Sequence, residues 1–377
     1  MSALEKALHS HVPALDGLRG LAILLVLVHG FDLLTPDSPV LQLADIVLNI
    51  GWIGVQLFFV LSGFLITGIL LDSAGSPHYY RNFIARRVLR IFPLYYGVLF
   101  VAFVVLPLFL DMPAGHGDHQ LWLWIYVENF TAPFGGSEAA FPHFWSLCVE
   151  EQFYLLWPLA VRLAGRRGVV VLGVVLTALA IVSRIWVRSR YPGELGADAV
   201  YVFTNCRMDA LAIGAMTAAL LRSAAVRSRL ERHGGVRSEV LGAGLVLAGC
   251  LVGQFQRVGM LMQWIGYTII ALGFAWMIVA ALQPSSISSR LLAWRPLRRV
   301  GTYSYAMYIF YAPLHLFVGL PLLERITPAH GLLVTLAYTL VMTALTTLLG
   351  ALSYHLYERR FLSLKSRFAP AHKAQPA

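Results

Sequence analysis

Two adjacent carboxylates, Glu150 and Glu151, lie within an apolar stretch that is long enough to cross a membrane. A charge at that depth costs roughly 3 kcal/mol or more, so it needs a partner, a water-filled cavity or a role in chemistry. On a helix Ser146, Glu150 and Tyr154 share one face, and Glu151 points away from it. We therefore expect Glu150 to face the interior of a helix bundle. An ion pair that only holds helices together is the alternative.

His29 is the second residue that could do chemistry inside the membrane. It lies about ten residues into the first apolar stretch, roughly 15 Å along a helix from Arg19 and near the bilayer midplane. A neutral imidazole at this depth can act as a general base at physiological pH. The alternative is a histidine that only hydrogen-bonds a neighbouring helix.

Three arginines, Arg86, Arg87 and Arg90, precede Pro93, which is a suitable first residue for a helix. Their spacing of one helical turn allows three guanidinium groups to converge on a polyanion. Determination of membrane topology and contact with lipid head groups is the alternative.

Further polar residues interrupt other apolar stretches. Arg207 and Asp209 lie about 200° apart on a helix and cannot pair with each other. Counted from the outer ends of their helices, Glu150 and Arg207 lie at the same depth, which predicts an ion pair between them. Ser62 is a small residue that favours close helix packing, with a substrate-lining role as the alternative.

The elements that carry these residues are membrane helices. Of 377 residues 58% are hydrophobic and only 13% are charged, and the mean hydropathy is +0.70. Soluble domains carry about 25% charged residues, so the composition indicates an all-α, polytopic membrane bundle. The predicted spans are 18–34, 46–71, 91–110, 144–163, 168–187, 201–221, 238–256, 260–282, 300–322 and 331–353.

The distribution of cationic residues decides the topology. The segment 121–134 is short and aromatic, and we interpret it as re-entrant or interfacial. If it does not cross, 23 of the 29 Lys and Arg residues fall on one side, which the positive-inside rule makes cytoplasmic together with both termini. The net charge of +10 is then a topology signal, and nucleic acid is excluded as a partner. We divide the chain into a cytosolic segment 1–17, a membrane domain 18–361 and a cytosolic polar tail 362–377.

Other chemistries have no sequence support. The three cysteines, Cys148, Cys206 and Cys250, fall in apolar spans, which indicates neither a disulfide framework nor a metal cluster. Hydrolase, zinc-protease, phosphate-binding and dinucleotide motifs do not occur in the sequence. The loop 111–143 is a candidate acceptor site because of His116, His119, Trp122, Trp124 and His143, although its aromatic residues equally fit an interfacial belt.

Several motifs, taken together and in order, resemble the integral-membrane acyltransferase-3 family, which includes O-antigen and exopolysaccharide O-acetylases and macrolide acyltransferases. The resemblance extends from residue 15 to residue 361. The matching segments begin at Leu15-Asp-Gly-Leu-Arg-Gly, Phe58-Phe-Val-Leu-Ser-Gly, Arg86-Arg-Val-Leu-Arg, Phe144-Trp-Ser-Leu-Cys-Val-Glu-Glu, Arg207-Met-Asp, Tyr303-Ser-Tyr-Ala-Met-Tyr and Tyr357-Glu-Arg-Arg-Phe.

The resemblance implies a ten-span bundle that transfers an acyl group from acyl-CoA to a hydroxyl, usually on a sugar. It implies that His29 and Arg19 are the catalytic pair of the first span, and that Glu150 orients or polarises. It further implies that Arg86, Arg87 and Arg90 receive the CoA phosphates. The remaining polar or substrate-binding positions are Ser62, Trp145, Ser146, Tyr154, Arg207 and Asp209.

One spacing departs from the family pattern. The family places eleven steps between the arginine and the histidine, which brings both to one helix face, whereas here the spacing is ten. Ten steps leave Arg19 and His29 roughly 80° apart. Either the helical register shifts locally or the two residues do not cooperate directly.

We therefore expect a multi-pass O-acyltransferase of the bacterial inner membrane with acyl-CoA, most simply acetyl-CoA, as co-substrate and no metal. Its partners are membrane lipid and a glycan or small-molecule hydroxyl acceptor, and a homo-oligomer is compatible with the sequence. Transfer is either direct or through an acylated protein intermediate. The alternative from another class is a transporter or flippase of a lipid-linked sugar or acyl group.

Overall fold

The computed structural model describes residues 3–34, 38–111, 115–327 and 331–368, and these residues form helices and short turns without a β-strand. The predicted all-α class is thus confirmed. The first half contains α1 (Ala3–Leu8), α2 (Pro13–Gly30), α3 (Pro39–Asn49), α4 (Ile53–Ser73), α5 (Tyr79–Phe100), α6 (Gln120–Trp124), α7 (Glu128–Thr131) and α8 (Trp145–Arg190). The second half contains α9 (Gly193–Val202), α10 (Thr204–Leu221), α11 (Ala224–His233), α12 (Gly235–Val252), α13 (Tyr267–Ala281), α14 (Ile287–Leu292), α15 (Arg295–Leu314), α16 (Leu320–Ile326), α17 (Leu332–Ser353) and α18 (Arg359–Ser363).

Short turns of other helical types continue several of these helices, as at Ile50–Trp52, Met262–Gly266 and Leu364–Phe368. Parts of several predicted segments lie outside the described residues, and residues 35–37 and 328–330 of the predicted membrane domain are among them. The other parts are the first two residues of 1–17, residues 112–114 of the loop 111–143, and residues 369–377 of the predicted tail.

Eight helical stretches in the described part of the chain are long and apolar enough to cross a membrane. A ninth is added if Gly193–Leu221 and Ala224–His233, which meet at 97°, form one broken span. Large apolar side chains on the outside of the bundle remain exposed, including Leu163, Leu333 and Leu340. Such continuous apolar surface is expected where the solvent is lipid. The chain is a multi-pass membrane protein.

Helix α8 accounts for the difference from the ten predicted spans. Its 46 residues would extend about 70 Å, more than twice the thickness of the hydrocarbon core. Gly165 interrupts it with φ 59° and ψ −173°, a conformation that is essentially restricted to glycine. The two arms contain the predicted spans 144–163 and 168–187. With these arms separate and the broken span counted, the helices agree with the predicted ten.

The segment 121–134 does not form a spanning helix. It contains α6, α7 and a single helical turn at Ala132–Phe134, and Tyr126 between the two helices has a positive φ of 55°. Gln152 Nε2 donates to the Tyr126 carbonyl at 2.8 Å, which fixes the segment against α8. The prediction that this segment does not cross the membrane is therefore confirmed.

The core of the bundle positions the candidate residues. Helix α2 packs between α4 and α15, and α10 packs between α4 and α8. At the start of the second span, an added Cβ on Gly51 would lie 2.0 Å from the Leu25 carbonyl oxygen and 3.0 Å from His29 Cβ. Only a glycine at position 51 permits this approach, which brings the end of α3 beside His29.

Candidate active site

A cavity of about 320 Å³ enters the bundle between α2, α4, α5, α8 and α15. One part of its wall is apolar and includes Val55, Phe58 and Leu65 from α4. Each of these helices, and the turn before α2, contributes polar or ionisable lining residues. They are Ser10, His11, Asp16, Arg19, Ser62, Arg87, Arg90, Ser146, Glu150, Glu151, Tyr154, Ser304, Tyr305 and Tyr308.

A second cavity of about 360 Å³ adjoins the first and shares Arg19, Arg87 and Arg90 with it. Lys365, from the turn after α18, and Thr302 also line this second cavity. We call this side of the bundle the basic end, defined by Arg19, Arg87, Arg90 and Lys365. Four cationic side chains around one entrance form a site that favours a polyanionic ligand.

One carboxyl group and two hydroxyl groups form a cluster in the interior of the first cavity. Ser62 Oγ and the Tyr154 hydroxyl are hydrogen-bonded to each other, and the Glu150 carboxyl interacts with both groups. Arg87 and Arg19 also lie close enough to Glu150 to interact with its charge. Ser146, Glu150 and Tyr154 thus share the cavity-facing side of α8, as the helical period predicts.

Glu151 differs from its prediction. Instead of pointing away, it lines the same cavity, and its Oε1 atom is buried without a hydrogen-bond partner. Glu150 and Glu151 are 100° apart on α8, and the cavity is wide enough to take the side chains of both. The cavity therefore holds two carboxyl groups.

The three arginines of α5 do not all converge. Arg87 and Arg90 line both the main cavity and the adjoining one. Arg86 instead lines a separate small pocket with Asn82 and Phe368, which Arg87 also borders. The Arg87 guanidinium stacks near Phe83 and Tyr154, each at 5.8 Å from the ring centroid, so its position is fixed from two sides.

Arg19 and His29 lie on different faces of α2, as their ten-step spacing predicts. Helix α2 is continuous from Pro13 to Gly30, and Arg19 lines both cavities. His29 is not among the residues that line either cavity. Its Nδ1 atom lies 3.1 Å from Asn49 Oδ1. We call this side of the bundle, defined by His29 and Asn49, the opposite end.

Aromatic side chains separate the cavity from His29. Tyr308 lines the cavity and contacts Tyr311 at 5.8 Å between ring centroids, and Tyr311 covers Gly30, the neighbour of His29. His143 packs against both tyrosines at 5.1 and 4.5 Å. Burial lowers the pKa of His143 to about 3, so this ring is neutral. These three rings therefore lie between the cavity and His29.

Arg207, Asp209 and Trp145 lie behind the cavity. The predicted Glu150–Arg207 ion pair is wrong, because Arg207 donates to Gln56 Oε1 at 2.7 Å and stacks on Tyr267 at 4.3 Å. Asp209 instead forms a buried ion pair with Arg184 at 2.8 Å. Trp145 packs against the Arg207 guanidinium. The prediction used only the equal depth of Glu150 and Arg207 in the membrane. Depth does not determine how each helix is rotated about its axis, so the predicted partner was wrong.

Sequence reasoning missed residues in the cavities and one residue at the opposite end. Tyr308 belongs to a motif that the sequence showed, but its hydroxyl was assigned no role. Lys365 was assigned only to the polar tail, although it lies at the basic end. Asn49, at the opposite end, lies within the predicted second span 46–71 and has no motif of its own.

The geometry brings together cations at an entrance, and carboxyl and hydroxyl groups inside a closed bundle. The acyltransferase domain of the acyltransferase-3 family matches residues 12–354, nearly the whole chain. The chain belongs to this family. The family resemblance read from the motifs is thereby confirmed, and a transporter is not favoured.

Named relatives support the same assignment. YrhL of Bacillus subtilis, named provisionally as a peptidoglycan O-acetyltransferase, is 31% identical over 93% of this chain and 55% of its own length. The O-acetyltransferase OatA of Staphylococcus aureus is 27% identical over 89% of this chain and 56% of its own length. The peptidoglycan O-acetyltransferase OatA of Listeria monocytogenes is 27% identical over 92% and 55%. The chain thus spans about half the length of these relatives. No solved structure matches it.

Proposed function

We propose that this acyltransferase-3 protein lies in the bacterial inner membrane and transfers an acetyl group from acetyl-CoA to a hydroxyl group of a cell-surface glycan. The observation that carries the proposal is the continuous cavity from the basic end to the Ser62–Tyr154–Glu150 cluster. The names of the relatives support O-acetyl transfer and make peptidoglycan the first acceptor to test.

The donor would bind from the basic end. Arg19, Arg87, Arg90 and Lys365 supply charge-assisted hydrogen bonds for the phosphates of CoA. The apolar wall of the main cavity suits the pantetheine arm and the acyl group, whose thioester would extend toward Ser146 and Tyr308.

The acceptor would bind from the opposite end. His29 would take the proton of the acceptor hydroxyl as its oxygen attacks the thioester carbonyl, and the CoA thiolate would leave toward the basic end. In this scheme the two substrates meet where Tyr308, Tyr311 and His143 now separate the cavity from His29.

The decisive experiment measures acceptor-stimulated release of thiol from acetyl-CoA by the purified protein, with peptidoglycan fragments and a panel of other sugars. Arg87→Ala and Arg90→Ala should each raise the KM for acetyl-CoA roughly 10- to 100-fold, because each removes a charged hydrogen bond worth about 1.5–3 kcal/mol.

Arg86→Ala is the matched control, since Arg86 lies on the same helix but lines the separate small pocket. Its KM should stay within about twofold of wild type. Absence of thiol release with every acceptor would refute the proposed function. An equal effect of Arg86→Ala and Arg87→Ala would refute only the donor site.

A further inference from the structure

A network of polar side chains surrounds His29 at the opposite end of the bundle. Asn49 Nδ2 donates to Asp32 Oδ2 at 2.8 Å and to Asp45 Oδ1 at 2.7 Å. Asn49 Oδ1 lies 3.1 Å from His29 Nδ1. Asp32 is held in turn by the Leu34 backbone N–H, which donates to Asp32 Oδ1 at 3.1 Å.

The two carboxylates determine which way the Asn49 amide points. A carboxylate only accepts hydrogen bonds, so the amide group that faces Asp32 and Asp45 must be the NH₂. The reversed amide would place its oxygen against two carboxylate oxygens and lose both hydrogen bonds. The Asn49 carbonyl oxygen is therefore the atom that faces His29.

The Asn49 oxygen in turn determines where the imidazole carries its proton. An amide oxygen cannot donate, so the contact at 3.1 Å is a hydrogen bond only if His29 Nδ1 carries the hydrogen. In a neutral imidazole the other nitrogen, Nε2, then has a free lone pair. Among the residues that the structure describes, none forms a hydrogen bond with Nε2. His29 is only partly buried, which leaves this atom open to a substrate.

We propose that Asn49, oriented by Asp32 and Asp45, is a positioning residue that fixes His29 in the Nδ1–H tautomer and leaves Nε2 ready to accept the proton of a hydroxyl substrate. The catalytic part rests on the proposed function. The tautomer part rests on the hydrogen bonds alone. The hydrogen bonds from Asn49 to Asp32 and Asp45 hold α3 beside the end of α2 in either tautomer of His29, whereas the contact with His29 Nδ1 is a hydrogen bond in the Nδ1–H tautomer alone.

The test uses the full-length protein labelled with ¹⁵N-histidine, in lipid nanodiscs. The ¹⁵N shifts distinguish a protonated from an unprotonated ring nitrogen, and the signals lost in His29→Gln identify residue 29. Wild type should show protonated Nδ1 and unprotonated Nε2. Asn49→Leu, which has a similar size and no acceptor, should shift His29 toward the Nε2–H tautomer.

Kinetics with acetyl-CoA and the best acceptor sugar provide the second readout. Asn49→Leu should lower kcat roughly 10- to 100-fold with an unchanged KM for acetyl-CoA, because the ring loses its orientation while the donor site is distant. Gln42→Leu, an amide-to-leucine change at an exposed position of the same helix, should alter neither readout.

A double variant separates positioning from packing. Asn49→Asp combined with Asp45→Asn keeps the number of carboxylates and again presents an acceptor to His29 Nδ1, so it should restore the tautomer and at least part of kcat. An Nε2–H tautomer in wild type, or an Asn49→Leu variant with unchanged tautomer and kcat, would overturn the inference. Absence of transferase activity in wild type would refute the proposed function, and the NMR result would still decide the role of Asn49.

Discussion

At the scale of single residues, the ionisable groups of this bundle fall into two kinds. Glu150 and Arg87 line a cavity and interact with several neighbours, so they keep access to a ligand. Arg184 and Asp209 are 0% and 1% exposed and satisfy each other. Access to a cavity separates Glu150 and Arg87, as candidates for binding or catalysis, from the buried pair, and depth in the membrane does not.

His29→Ala tests the proposed general base, which lines neither cavity but is partly exposed at the opposite end. General-base help is typically worth 10²–10⁴-fold, so kcat should fall by a factor in this range while the thermal unfolding midpoint in detergent changes little. His315→Ala is the matched control, because His315 lies near the same end and its Nδ1 contacts the Tyr338 hydroxyl at 2.7 Å. Near-normal turnover of a folded His29→Ala protein would exclude His29 as the base.

Arg184→Met tests whether the buried Arg184–Asp209 ion pair is structural. Removal of one partner leaves the Asp209 charge buried and uncompensated, which should lower the free energy of unfolding by about 3–5 kcal/mol. The double variant Arg184→Met/Asp209→Leu removes both charges and should be more stable than Arg184→Met. Denaturation in mixed micelles measures both. An Arg184→Met variant of normal stability but greatly reduced turnover per folded molecule would contradict a purely structural role for the Arg184–Asp209 pair.

At the scale of helices, the helical period predicted which residues of a single helix share a face. The shared face of Ser146, Glu150 and Tyr154 and the divergence of Arg19 from His29 both follow from 3.6 residues per turn. Side-chain contacts between two helices were not predictable from the sequence. The partner of Arg207 and the contact between Asn49 and His29 require the rotation and crossing point of neighbouring helices, which tertiary packing decides.

The crossing of the first two spans is therefore a sensitive point. Gly51→Ala would insert a Cβ at 2.0 Å from the Leu25 carbonyl oxygen, and backbone there must move. We expect a loss of about 1–3 kcal/mol in the free energy of unfolding and a lower kcat, because Asn49 moves away from His29. Gly75→Ala is the control, since nothing lies within 4 Å of its added Cβ. Equal unfolding midpoints for the two variants would contradict the close crossing.

At the scale of the whole molecule, the two ends of the bundle carry different functional groups. If each end faces one side of the membrane, the proposed reaction moves the acetyl group from one side to the other. The basic end carries the cations proposed to bind the donor, and the positive-inside rule predicts that it is cytoplasmic, where acyl-CoA is made. The opposite end carries His29, Asn49 and two aspartates, and would then face the cell-surface glycan.

Labelling of single added cysteines tests this orientation. Cys148, Cys206 and Cys250 are buried, so the native chain should react little with a membrane-impermeant maleimide. Gln256 follows α12 at the opposite end and Arg229 lies on α11 at the basic end, and both are exposed. In intact spheroplasts Gln256→Cys should be labelled and Arg229→Cys should react only after lysis. The reverse pattern would place the donor site outside the cell, where no acyl-CoA reaches it, and the proposed reaction would then need another donor.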